Sequence, residues 1–348
     1  MLAKAATGLP VGDYFYEPKW DGFRCIVFRE GDRVELASRN ERPLTRYFPE
    51  LWEPLLATLP ERCVLDGEIV VVGSNGLDFE ALGQRIHPAA SRIARLSNET
   101  PARFVAFDII ALDTTDLRST PFADRRALLE VALRDALPPV HITPITRDPD
   151  LAADWFDRFE GAGFDGLIAK DAASTYQCDV RAMAKVKHRR TADVVVAGYR
   201  PHKDGAGVGS LLVGLHDNEG RLHNVGVTTS FTAAFRSELV DLLAPYEADA
   251  MTDHPWAQWA SEAEDGTTMP GGKSRWNNGK DLTWVPLRCE LVIEVAYEGL
   301  LGPRFRHQSR FVRWRPDKGP GECTYDQLEA VAPAELEALL AQNPVGED

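Results

Sequence analysis

Apolar and polar residues alternate over 23–38 on either side of Glu30-Gly31-Asp32, which predicts a β-hairpin that turns at the glycine. Runs at 63–72 and 104–112 predict two further strands. Leucines spaced three to five apart over 122–137 predict an amphipathic helix, stopped by Pro138-Pro139. A second helix is predicted over 151–162 and a buried strand over 166–170. Strands and helices are interspersed in this half of the chain, so it reads as a mixed α+β domain.

After Arg190 the pattern changes. Short β-branched runs occur at 193–199, 209–216, 221–230, 290–297 and 309–314, with one helical stretch at 232–244. Five strands and a single helix are what a small closed barrel of the OB type requires. The expected organisation is an α+β domain over 1–190, an OB-fold barrel over 191–325 and a helical tail over 326–348, with a hinge near 189–192. Residues 254–285, rich in Trp, Gly and Pro, read as a long loop within the second domain.

Composition narrows the class. At 348 residues, 44% hydrophobic and 26% charged, the chain is long enough for two globular cores and is neither disordered nor fibrous. No apolar run approaches 18 residues and no hydrophobic leader is visible, so neither a membrane helix nor a secretory signal is expected. Five cysteines, an odd number with no C-x-x-C pair, argue against zinc and a disulfide framework and fit a reducing cytosol. The histidines show no metal-binding spacing. The net charge of −14 argues against a polyanion partner, but the charges are segregated. Residues 181–190 hold five Lys/Arg and no acid, 304–318 hold six against one Asp, and 238–265 hold eight acids and no Lys/Arg. A cationic face on an acidic body still attracts nucleic acid, because the local field governs approach; two solvated basic strands are the alternative.

The strongest local feature is Glu17-Pro18-Lys19-Trp20-Asp21-Gly22-Phe23-Arg24, just ahead of the hairpin. Its lysine is either a surface charge or a nucleophile. A nucleophilic amine must shed a proton that an ordinary lysine keeps until about pH 10.4, which calls for burial and neighbouring cations. Lys170, Lys185 and Lys187 are the candidates for those cations.

Further segments follow in order: Ser38-Arg39, Leu65-Asp66-Gly67-Glu68, Phe104-Val105-Ala106-Phe107-Asp108, Asp165-Gly166-Leu167-Ile168-Ala169-Lys170, Lys185-Val186-Lys187 and Arg313-Trp314-Arg315-Pro316-Asp317-Lys318. Together with Lys19-Trp20-Asp21-Gly22-Phe23-Arg24 this series, covering 17–318, resembles the covalent nucleotidyltransferases: ATP-dependent DNA ligases, RNA ligases and mRNA capping enzymes. The R-x-D-K ending and the pairing with an OB domain resemble most closely the stand-alone bacterial ATP-dependent DNA ligases of the ligase C type.

The resemblance implies an adenylation domain followed by an OB-fold domain, and a chemistry. Lys19 would attack ATP to carry AMP covalently, and Lys185 and Lys187, two apart on a strand, would reach the α-phosphate. Arg24, Arg39 and Lys170 would contact nucleotide or phosphate, Phe107 would stack on the adenine, and Glu17 would face the adenine or ribose. Glu68 would meet ribose or metal. Asp165 stands where the family usually has glutamate, one methylene shorter, so direct coordination of Mg²⁺ or Mn²⁺ and a bridging water both stay open. Arg315, Asp317 and Lys318 would orient the β- and γ-phosphates.

The implied substrate is nicked double-stranded DNA. The implied setting is a monomer in the cytoplasm at the nucleoid, with no membrane association and with end-joining or other repair proteins as partners. An RNA ligase or capping-type enzyme is the alternative within the superfamily, and an inactive nucleic-acid-binding module the alternative outside it. Residues 225–231 depart from the glycine-rich run of related ligases, and Lys273–Lys280 within the long loop, mixing cations, amides and an aromatic ring, reads either as a phosphate-backbone contact or as a disordered surface loop.

Overall fold

The computed structural model describes residues 1–74, 76–159, 162–188, 190–205, 207–257, 283–328, 336 and 340. The chain divides into two compact units, Met1–His188 with Val331–Asp348, and Arg189–Ala330.

In the first unit, β1 (Ala3–Ala6), β2 (Tyr14–Pro18), β3 (Phe23–Glu30) and β4 (Arg33–Ser38) precede helix α1 (Trp52–Thr58) and the long strand β5 (Arg62–Gly73). The short β6 (Gly76–Leu77), α2 (Phe79–Gln84), α3 (Ala90–Glu99), β7 (Ala102–Leu112), the short β8 (Thr115–Asp116), α4 (Phe122–Ala132), β9 (Val140–Ile142) and α5 (Pro149–Phe159) follow. β10 (Leu167–Asp171) and β11 (Met183–Val186) complete it. One sheet has the order β4-β3-β5-β7-β8, with β6 and β9 paired at its flanks; a second has the order β1-β11-β10-β2. β5 is central, between β3 and β7, and buried along most of its length, so it reads as a nearly continuous apolar run into which Asp66 and Glu68 are set.

The predicted hairpin and the strands at 63–72, 104–112 and 166–170 are present, with register Cys25↔Ser38 to Glu30↔Arg33 in the hairpin. The helix predicted over 122–137 ends at Ala132. Its leucine periodicity continues, but Pro138 disfavours helical geometry in the residue before it, and 133–135 form turns. The helix predicted over 151–162 occupies Pro149–Phe159. β1, β2, β9 and α1 to α3 were not evident from the pattern.

The second unit is a closed barrel, β12-β13-β14-β18-β15, built from β12 (Arg190–Pro201), β13 (Val208–His216), β14 (Leu222–Thr229), β15 (Val285–Tyr297) and β18 (Ser309–Trp314). α6 (Ala233–Leu243) stands between β14 and β15, with Thr232 capping it by accepting from the Phe235 N–H. The short β16 (Leu300–Leu301) and β17 (Arg304–Phe305) form a separate hairpin. The start of the segment expected to be a loop is core: Trp256 is fully buried and donates its indole N–H to the Leu222 carbonyl at 2.7 Å. The rest of that loop, 258–282, with Lys273–Lys280, lies outside the described residues, as does most of the expected tail. Leu336 and Leu340 pack into the first unit's core.

Ser230, within the atypical 225–231 run, has φ 74°, a left-handed conformation that glycine adopts more readily. Cys25, Cys63 and Cys323 are buried, Cys289 is half-buried and Cys178 is exposed. No helix among the described residues is long and apolar enough to cross a membrane.

Candidate active site

The site is assembled by strand register. Glu17 on β2 lies opposite Ile168 on β10, and Ile168 lies opposite Lys185 on β11. Residues opposite one another share a face, so Glu17, Ile168 and Lys185 form a row across three strands. Lys170, two positions beyond Ile168, falls on the same face and reaches Glu17 diagonally. In the larger sheet Arg24 on β3 lies opposite Glu68 on β5, with Asp66 two residues away on that face. A register shift between Asp66 and Gly67 re-aims β5 against β7 at this point.

These rows enclose a cavity of about 380 Å³, whose walls include Glu17, Lys19, Glu68, Phe107, Lys170 and Lys185, with Arg24 and Arg39 at one end. A wider groove of about 880 Å³ shares Arg24 and Arg39 and is edged by Cys178. The smaller cavity holds the reactive groups.

Lys19 follows β2 and is pinned to the Asp165-Gly166 turn through its backbone. Its N–H donates to the Gly166 carbonyl at 2.8 Å, and its carbonyl accepts from the Asp165 N–H at 3.2 Å. Gly166 has φ 114°, and a β-carbon there would sit 2.0 Å from the Val186 carbonyl oxygen, so only glycine permits this approach. Gly22 is required for the same reason, against the Ile69 carbonyl at 2.2 Å. Trp20 anchors the segment: it is buried, and its indole N–H donates to Thr143 Oγ1 at 2.8 Å.

The Lys19 amine pairs with Asp165 Oδ2 at 2.7 Å, and Lys187 Nζ reaches the same oxygen at 2.9 Å. Burial pushes the Asp165 carboxyl up, but the two lysines outweigh it and hold the group below its ordinary value. Burial pushes the Glu68 carboxyl up to about 8, with Lys19 and Arg24 pulling it back. Lys187 lies just past the end of β11 rather than within it.

Two expected nucleotide contacts are already engaged by protein. Arg24 is ion-paired to Asp66, donates to the Met1 carbonyl, and lies 5.7 Å from the Phe107 ring centroid. Desolvation disfavours the Arg24 charge, but Asp66 more than restores it. Lys170 is buried against Glu17 Oε1 at 2.7 Å. Arg39 is exposed at the cavity mouth.

Arg315, Asp317 and Lys318 belong to the second unit. Arg315 donates to both oxygens of Asp193 at 2.8 and 2.9 Å and to Asp317, and Lys318 donates to Asp193 Oδ2 at 2.9 Å. The hydrogen bond from Arg315 holds the Asp317 carboxyl down at about 2.

Sequence reasoning gave no role to Asp66, Tyr176 or Asp193. Tyr176 donates to Asp66 Oδ2 at 2.8 Å, which fixes the acceptor of Arg24. Asp193 is the one acid in its strand and directly precedes a run of three valines, and that isolated acid was the available signal.

The sequence matches the ATP dependent DNA ligase domain over residues 1–187 and the ATP dependent DNA ligase C terminal region over 204–318. The chain belongs to the ATP-dependent DNA ligases, which use ATP and a divalent cation and act on nicked DNA. It is 55% identical over 334 residues to DNA ligase C2 of Mycolicibacterium smegmatis, covering 95% of this chain and 94% of that protein. DNA ligase C of Mycobacterium tuberculosis is 54% identical over 334 residues, covering 94% and 93%. The multifunctional non-homologous end joining DNA repair protein LigD of the same organism is 31% identical over 331 residues, covering 92% of this chain and 39% of that protein. These likenesses favour the DNA ligase over the RNA ligase, capping-type and inactive-module readings.

Proposed function

We propose that the chain seals nicks in duplex DNA through a covalent AMP adduct on Lys19, and that it serves DNA repair in the cytoplasm at the nucleoid. The observation that carries this reading is the Lys19 amine in one cavity with an aromatic ring, Phe107, and a carboxylate, Glu17, suited to a purine. The repair role is supported by the likeness to LigD, whose name assigns it end joining; end-joining proteins are the partners that likeness suggests, and a monomer suffices for the chemistry.

In the structure the Lys19 amine is ion-paired with Asp165. Attack requires that contact and one proton to be given up. The nitrogen then forms a bond to the α-phosphorus of ATP, the bond from that phosphorus to the bridging oxygen breaks, and pyrophosphate leaves; the second ammonium proton is lost as the phosphoamide forms. An oxygen of the 5′-phosphate at the nick next takes AMP from the nitrogen, which is reprotonated. Finally the 3′-hydroxyl attacks the 5′-phosphorus, closing the strand and releasing AMP. Catalysis is chiefly positioning and charge neutralisation.

Lys185 and Lys187 supply positive charge at the α-phosphate, and Lys187 is poised to exchange Asp165 for phosphate. Phe107 stacks on the adenine, Glu17 reads its edge, and Arg24 and Arg39 contact ribose or phosphate at the cavity mouth. Arg315, Asp317 and Lys318 orient the β- and γ-phosphates. Asp165 and Glu68 offer the hard oxygen donors that Mg²⁺ or Mn²⁺ takes. These two carboxylates are the residues that would hold such a cation. A cation bound there would supply charge neutralisation on the transferring phosphoryl group.

Incubation with α-labelled ATP, denaturation and peptide mapping test the assignment. Label is expected on Lys19, and Lys19→Ala should abolish it while leaving the fold intact. Label persisting in that variant would overturn the nucleophile.

A further inference from the structure

We infer that Lys170 is a positioning residue for base selection: it fixes one oxygen of Glu17 so that the other is left as the acceptor for a purine 6-amino group. This rests on the reading of the cavity as the nucleotide site.

Lys170 is 2% exposed, and its ammonium is engaged inside the protein. Its Nζ lies 2.7 Å from Glu17 Oε1 and donates to the Phe107 carbonyl at 3.2 Å. It also lies over the rings of Phe107 and Phe122, each with its centroid 4.7 Å away. An ammonium buried in this way is committed first to Glu17 and the Phe107 carbonyl rather than presented to a phosphate. It does tie together the two groups that face the base, the Glu17 carboxylate and the residue carrying the Phe107 ring.

Glu17 is 3% exposed, and its Oε2 is buried with no hydrogen-bond partner. A buried carboxylate oxygen left unsatisfied is costly, and Glu17 lines the cavity, so a donor on the bound molecule is what completes it. An ionised carboxylate only accepts. It satisfies a 6-amino purine and repels a 6-oxo purine, which presents another acceptor at that position. Without Lys170 the carboxyl is free to rotate or to take a proton, and the distinction is lost.

The test compares adduct formation from ATP, from purine riboside triphosphate (hydrogen at C6) and from GTP in the wild type, Lys170→Met, Glu17→Gln and the double variant. A hydrogen bond to a charged acceptor is worth roughly 10- to 100-fold, so wild type should prefer ATP over purine riboside triphosphate by about that factor in kcat/KM. Lys170→Met should remove most of that preference through a higher KM for ATP, leaving purine riboside triphosphate within about threefold. Equal loss on both nucleotides, or no loss on either, would overturn the inference and leave Lys170 a core counter-ion. The double variant removes both charges and so guards against misfolding of the single one; it should match Glu17→Gln alone, and a wild-type preference in it would also refute the role. A wild type that does not distinguish the two nucleotides would instead sink the assignment of Glu17 itself, and Lys170 with it.

Discussion

Each unit holds two cations on one aspartate, and the two arrangements are built differently. In the first, Lys19 and Lys187 both meet a single oxygen, Oδ2 of Asp165, at 2.7 and 2.9 Å. In the second, Arg315 spans both oxygens of Asp193, Lys318 shares one of them, and Gln327 brackets the Asp193 backbone by accepting its N–H and donating to its carbonyl. Ammonium groups are point charges on flexible stems and exchange one anion for another with little geometric penalty, whereas a guanidinium fork fixes direction as well as charge. The first triad is suited to being dismantled during reaction. The second is suited to presenting a rigid cationic edge.

Conservative amides break this comparison most directly. Asp165→Asn should slow adduct formation by about 100-fold, since it removes a charge among the reacting groups. Asp193→Asn keeps the shape and should cost about tenfold in the same assay, while leaving the sealing of pre-adenylated nicks nearly unchanged. Single-turnover measurement of both steps decides; equal losses in both variants and both steps would mean that the two triads do the same work.

A second contrast concerns burial. Arg125 and Asp108 form a pair at 0% and 2% exposure, joined by two hydrogen bonds, whereas Arg313, paired with Glu294, is 60% exposed. Asp108→Asn should destabilise the first unit by about 3–5 kcal/mol, because it strands a buried guanidinium. Glu294→Gln should cost less than about 1 kcal/mol. Denaturant unfolding curves distinguish the two.

The smallest effect is a pH response confined to the barrel. Burial holds the His254 imidazole below its ordinary value; its Nε2–H donates to the Ala197 carbonyl and its Nδ1 accepts the Trp256 N–H. As pH falls through about 6.5 the unfolded chain takes up this proton before the folded one does, so barrel stability should decline below that pH and stay level above it. Thermal melts followed by tryptophan fluorescence should show the decline in wild type and a flatter profile in His254→Gln.

What was legible in the sequence follows from how local the governing forces are. The hairpin, β5, β7 and the five barrel strands announce themselves by alternation and turn residues, since each buries its own apolar face. β1 does not: it is four residues long and pairs in parallel with β11 from the opposite end of the first unit, Ala5 opposite Lys185, so nothing nearby marks it. Lys19, Glu68, Phe107 and Lys185 could be placed in one site because they lie in motifs. That Lys170 serves Glu17 could not, since it depends on the Glu17↔Ile168 register. Asp193 was missed because a single acid in a valine-rich strand looks like an edge position until its two cations arrive from 120 residues away.

The uneven burial of the thiols gives the chain a ready chemical handle. Burial pushes Cys63 up to about 11 and Cys289 and Cys323 to about 12, and Cys25 higher still, so thiolate is scarce at each of these four. Cys178 alone is exposed, on the edge of the groove that Arg24 and Arg39 share with the cavity. A maleimide dye added at neutral pH should therefore mark the unmutated chain at one spot, beside the entrance to its chemistry.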